Sequence, residues 1–231
     1  GYVESFTENW EKLERYDNNA PKTMNAHLHV LEAYTLLYQC WKDNGLKKRL
    51  EFCVDLFMNR IYDPSRRHFN LFFDNEWNSL VEMDSYGHDV ETGWLLCEAA
   101  RTLENQDLIK RTNLLALDVT GACLAEGMSD KGYMIYEKKG DRKTKHASWW
   151  GQVETMIACV NAWQISGDEA WLQSADTVWT FVKDHMVDKE YGEWYSDCFD
   201  GEPKKGAPKV SMWRCPYHTV RLGVEMYNRL K

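Results

Sequence analysis

The chain has 231 residues, 44% of them hydrophobic and 28% charged, the composition of a globular protein long enough to bury a sizeable core. A formal net charge of -8 argues against a nucleic-acid partner, because phosphate binding needs a basic surface. No apolar run approaches the roughly 20 residues of a membrane span, so no membrane association is expected.

Seven segments carry a helical hydrophobic period. They are 25–42, 46–60, 87–104, 107–127, 148–166, 168–186 and 214–230. The segments 25–42, 87–104 and 148–166 are apolar on nearly all faces, as Val90, Trp94, Leu95, Leu96, Cys97, Ala99, Ala100 and Leu103 illustrate, and this predicts inner helices covered on both sides. The segments between them carry charge along one face and read as outer helices. Short linkers such as Lys42-Asp43-Asn44-Gly45 and Ser166-Gly167-Asp168-Glu169 suit antiparallel helix pairs.

A turn and a run of alternating aromatic residues come after each outer segment. Examples are Tyr62-Asp63-Pro64 before His68-Phe69, Ser129-Asp130-Lys131-Gly132 before Tyr133-Met134, and Asp188 to Gly192 before Glu193-Trp194. Each predicts a short hairpin. The unit of helix pair plus hairpin recurs about every 60 residues, the mark of an array closed into a toroid or extended as a solenoid. Gly1 to Phe6 resembles Gly192 to Asp197, so the chain is expected to begin inside a repeat, as a fragment or a truncated gene product. The loop Gly201 to Lys209 is long and polar enough to form a rim over a site.

Cys40, Cys53, Cys97, Cys123, Cys159, Cys198 and Cys215 are odd in number and form no Cys-x-x-Cys pair. They read as reduced, mostly buried thiols. With no signal-peptide pattern at the first residues, a cytoplasmic location is expected.

Polar groups cluster at the start of each inner segment. Asn25, His29 and Glu32 share one helical face, as do His88 and Glu91. Trp149, Trp150 and Glu154 open the next segment, and Trp213, Tyr217, His218 and Arg221 the last. Each cluster taken singly has a structural explanation. Together they fall in register with the repeat and predict convergence on one wet cavity. A metal is a rival reading of His88-x-x-Glu91. His27 and His29 cannot share an ion, because residues two apart on a helix point to nearly opposite sides. Glu91 and Glu154 also allow a glycoside hydrolase.

Four stretches carry a resemblance. They are Lys22 to Tyr34 with Asn25-Ala26-His27-Leu28-His29, Gly87-His88-Asp89-Val90-Glu91, Trp149-Trp150-Gly151-Gln152-Val153-Glu154, and Trp213-Arg214-Cys215-Pro216-Tyr217-His218-Thr219-Val220-Arg221. In order and spacing they resemble cellobiose 2-epimerases of the N-acylglucosamine 2-epimerase superfamily. The resemblance implies an all-α, (α/α)6 barrel of twelve helices. About seven helices are expected here, with short β-hairpins between pairs, so that 1–231 forms the C-terminal three-fifths of a single barrel domain. It implies an isomerase that inverts C2 of the reducing-end glucose of a β-1,4 disaccharide through ring opening and an enediolate. His88 and His218 would be the acid/base pair, with Glu91 orienting His88 and His29 assisting ring opening. Asn25, Trp149, Trp150, Glu154, Trp213 and Arg221 would hold the sugar. No metal or other cofactor is implied. A mannose-type aldose–ketose isomerase of the same superfamily, a glycoside hydrolase and an inactive truncated remnant are the alternatives. An open barrel edge would favour self-association.

Overall fold

The computed structural model describes residues 1–13 and 15–231. Among these residues seven α-helices form where the periodicity places them: α1 Met24–Cys40, α2 Asn44–Leu56, α3 Tyr86–Thr102, α4 Gln106–Gly127, α5 Trp149–Ser166, α6 Ala170–Phe181 and α7 Tyr217–Arg229. The chain divides into two compact units. One comprises Gly1–Asp84 and Leu95–Thr112, the other Ser85–Trp94 and Asn113–Lys231.

In the first unit α1 packs against α2. Thr23 caps α1 by accepting from the Ala26 amide, and Asp43 caps α2 by accepting from the Leu46 amide. Strand 22–23 pairs antiparallel with 72–73, and the expected hairpin pairs Tyr62 with Phe69. His27 is fully buried and His29 exposed, as their two-residue separation on a helix requires. Contrary to expectation, α1 is buried on one face only. Its buried residues are Met24, His27, Leu28, Leu31, Thr35 and Tyr38, whereas Leu36 and Leu37 are exposed. An even spread of apolar residues shows that a helix can be covered all round, not that it is.

In the second unit α5 packs against both α6 and α7. Every residue from Trp150 to Ala162 is buried, as its apolar circumference predicts. Ser148 caps the start of α5. Gly167, with φ of 74°, closes its end by donating its N–H to the Trp163 carbonyl at 2.7 Å, a left-handed turn that glycine adopts without strain. Both remaining hairpin positions form as single bridges, Met128 with Met134 and Val187 with Trp194. Strand 197–199 pairs with both 147–148 and 202–203, so the loop after it is anchored beside the start of α5. By contrast α7, expected as an inner helix, buries only Leu222 and leaves Val220, Val224 and Tyr227 exposed.

Two helices expected as outer, α2 and α6, end alike. After α2 the backbone widens into a π-helical turn over Phe57–Ile61, and after α6 it does so over Val182–Met186. Each turn closes on a bond from the next residue, Tyr62 to Phe57 and Val187 to Val182, and releases the chain into its hairpin.

Candidate active site

The second unit holds most of the predicted site residues. Its geometry begins with an absence of side chain. A Cβ on Gly87 would lie 2.6 Å and 2.7 Å from two carbons of the Trp150 ring, and 3.1 Å from the Gly151 Cα. Only glycine lets the start of α3 come this close to the start of α5. The close approach puts His88 and Trp150 in ring contact, with centroids 4.5 Å apart. From α7, His218 reaches the same indole at 5.9 Å and the Trp149 ring at 6.2 Å. Both predicted imidazoles therefore touch Trp150.

Beneath them lies a buried charge cluster. Glu154 is fully buried, and its two oxygens take three donors. Oε1 meets His218 Nδ1 at 2.7 Å and Arg221 Nη1 at 3.1 Å, and Oε2 accepts from the Trp94 indole N–H at 2.9 Å. Arg221 Nη1 also donates to Glu91 at 2.7 Å, and its guanidinium stacks over Tyr217 at 4.2 Å and Trp94 at 5.3 Å. A carboxylate accepts and cannot donate, so Glu154 holds a proton on His218 Nδ1 and leaves Nε2 as the nitrogen turned away from that contact. The Nδ1 of His88 meets a different partner, the Ser85 hydroxyl at 2.7 Å.

These contacts fix where the expected residues stand. Glu91, expected to orient His88, bonds Arg221. Glu154, expected to hold sugar, lies under His218. Trp149 stacks against the Arg214 guanidinium at 5.0 Å. Trp213 is in the turn before α7 and is 82% exposed. Asn25 and His29 are on α1 of the other unit. There Asn25 Oδ1 is buried without a hydrogen-bond partner among the described residues, and His29 Nδ1 lies 3.2 Å from Glu32. Two further residues touch the site, Trp94, whose composition reads only as core, and Ser85, which carries no motif. Trp94 lies three residues beyond Glu91, and Ser85 three before His88, so helical spacing from the two named residues would have pointed to both.

Ligand atoms of Glu91, Glu154 and His218 lie within 4.8 Å of one another, close enough for a shared cation. The Arg221 guanidinium already bonds both carboxylates, so a divalent ion there would meet a fixed positive charge. The donor set fits an arginine-centred cluster rather than a metal.

Residues 1–221 match the model of the N-acylglucosamine 2-epimerase (GlcNAc 2-epimerase) family, and the chain belongs to that family. It is 40% identical to the cellobiose 2-epimerase of Bacteroides fragilis, over 98% of this chain and 59% of that protein. It is 35% identical to the cellobiose 2-epimerase of Dictyoglomus turgidum, over 100% of this chain and 60% of that one. The structure of cellobiose 2-epimerase from Bacillus thermoamylovorans superposes with a TM-score of 0.94 at 35% identity, covering 99% of this chain and 60% of that one. More distantly, the chain is 20% identical to a D-mannose isomerase of Marinomonas mediterranea, over 99% of its length and 60% of that protein's. The chain thus spans about three-fifths of the length of these relatives. No helix among the described residues is long and apolar enough to cross a membrane.

Proposed function

We propose that this chain carries the reaction centre of a disaccharide 2-epimerase, built on part of an (α/α)6 barrel, that inverts C2 of the reducing-end glucose of cellobiose or a similar β-1,4 disaccharide. The observation that carries this reading is the single Trp150 indole in contact with both His88 and His218. In the closed ring the C2 proton is not acidic. Ring opening frees an aldehyde, and removal of the neighbouring proton then gives an enediolate. One imidazole takes that proton on one face, and the other returns a proton to C2 on the opposite face. Glu154 holds the Nδ1 edge of His218 and leaves Nε2 to exchange protons with the sugar, and Arg221 adds positive charge near the enediolate oxygens. Trp149, Trp150 and Trp213 supply faces for sugar rings. The family resemblance assigns assistance to ring opening to His29 and hydroxyl binding to Asn25. The seven cysteine thiols support a reducing, cytoplasmic setting. The exposed Val220, Val224 and Tyr227 support self-association.

A second reading is favoured by the likeness to D-mannose isomerase: an aldose–ketose isomerase would form the same enediolate and return the proton to C1. Hydrolysis fits less well, because Glu91 and Glu154 are both bound to Arg221 rather than presented to a leaving oxygen. Incubation with cellobiose in D2O distinguishes the readings. The epimerase yields a reducing-end mannose with deuterium at C2, and His218→Ala abolishes the exchange. A ketose product favours the second reading, and released glucose favours hydrolysis. Exchange that persists in His218→Ala refutes the assigned pair.

A further inference from the structure

We propose that Ser85 is the positioning residue of His88, a helix cap drawn into the reaction centre. Its role rests on the acid/base reading of His88.

A hydroxyl residue stands immediately before each of α1, α3 and α5: Thr23, Ser85 and Ser148. In α1 and α5 that hydroxyl accepts from the backbone N–H three residues on, Ala26 at 3.1 Å and Gly151 at 3.4 Å. This is the ordinary cap bond of a helix start. In α3 the residue three on is His88, and the Ser85 hydroxyl lies 2.7 Å from its ring Nδ1. Ser85 is 4% exposed, so little water competes for that hydroxyl. The Trp150 ring confines one face of the same imidazole. Held at one edge and one face, the ring has little freedom to rotate, and its Nε2 is carried on the side away from the serine.

The chemistry of the partner differs between the two imidazoles. Glu154 can only accept, so it holds His218 in one tautomer. A hydroxyl can accept from Nδ1–H or donate to a bare Nδ1, and it adds no charge. With Ser85 accepting, Nε2 is the nitrogen at which His88 takes or gives up a proton. Ser85 therefore sets the direction of the His88 ring. Glu91, three residues beyond His88, is engaged with Arg221.

The test uses 15N-histidine labelling of the chain and nitrogen chemical shifts, which report the tautomer of each imidazole directly. Ser85→Gly keeps a residue that helix starts tolerate and removes the hydroxyl. It is expected to move the His88 nitrogen shifts toward the averaged pattern of an unheld imidazole and to leave those of His218 in place. Turnover of cellobiose should fall about tenfold in kcat, the worth of one buried hydrogen bond, with KM within about twofold. Ser85→Thr should restore both. Should the glycine variant melt too low to study, Ser85→Ala, which removes the hydroxyl without the backbone freedom of glycine, provides the same comparison. The proposal is overturned if the His88 shifts in the hydroxyl-free variant coincide with the native ones, or if His88 and His218 shift together as in general loosening. Failure of the acid/base reading looks different: His88→Ala would still exchange deuterium at C2, while the Ser85 variants still moved the His88 signals.

Discussion

Glu154→Gln probes the buried cluster with almost no change of shape. Three donors converge on this carboxylate: the Trp94 indole N–H, His218 Nδ1 and Arg221 Nη1. A glutamine brings one acceptor oxygen and an NH2 group. If the oxygen faces His218 and Arg221, the NH2 opposes the Trp94 N–H. If it is flipped, the NH2 opposes His218 and Arg221. Either way a donor is buried against a donor, which costs about 1–3 kcal/mol. The Arg221 charge also loses one of its two counter-ions. Removing one partner of a buried ion pair costs about 3–5 kcal/mol, and the retained Glu91 places the sum near the lower end. For a chain of this length that is a fall in melting temperature on the order of 10 °C. Thermal unfolding followed by circular dichroism measures it. Deuterium exchange at C2 of cellobiose should also fall, by about 100-fold or more, because His218 loses the group that holds its tautomer. A variant that melts within about 1 °C of the native chain and exchanges at the native rate would refute the cluster's role.

Gly87→Ala forces a methyl into the Trp150 ring, so Trp150 must shift. A loss of about 1–3 kcal/mol and a changed tryptophan emission are expected, and an unaltered spectrum would contradict the close approach. Burial holds the His27 imidazole below its ordinary pKa of 6.5, although its bond to the Thr23 carbonyl acts in the other direction; burial likewise lowers His146 against the pull of Asp197. The unfolded chain then binds more protons than the folded one as pH falls through 6.5, so stability is lost on acidification through that value and retained above it. Melting temperatures taken between pH 5 and pH 8, roughly the window where histidine titrates, should show the slope, and His27→Gln and His146→Gln should each flatten it. Among the thiols, Cys40 and Cys215 are exposed and the rest buried, with Cys159 pushed up to about 12 by burial. A thiol reagent should therefore label those two in the native chain and all seven after unfolding.

Helix positions were legible because the apolar period is local. A run such as Met156 to Val160 has no polar residue to expose, so its burial follows from composition. The nearness of His88 to His218 was foreshadowed by the repeat, which places both near the starts of segments expected as inner, whereas their acid/base role comes from the family resemblance alone. The groups that the two histidines lean on were not legible. Glu154 and His218 are 64 residues apart, and their bond depends on how α5 and α7 are set against each other, which no local pattern records. The exposure of α7 escaped for a related reason: Val220 and Val224 carry an inner helix's composition, and only the packed chain shows which of its faces are covered. Ser85 was hidden by its ordinariness. A serine before a helix is first a cap, and only the 2.7 Å approach to Nδ1 gives it a second task.

The π-helical turns after α2 and α6 bear on how this chain tolerates change in length. Each fits one residue more than an α-helical turn would, and the hairpin beyond takes its heading from that extra residue. Deleting one residue within Phe57–Ile61 or Val182–Met186 would rewind the turn and rotate the downstream hairpin by about 100° about the helix axis. The rings of Phe69 and Trp194, at the closing rungs of those hairpins, would then swing away from their buried seats. Amino-acid exchange within these turns is thus milder than insertion or deletion, and segments traded between the two repeats have to match in residue count before they match in chemistry.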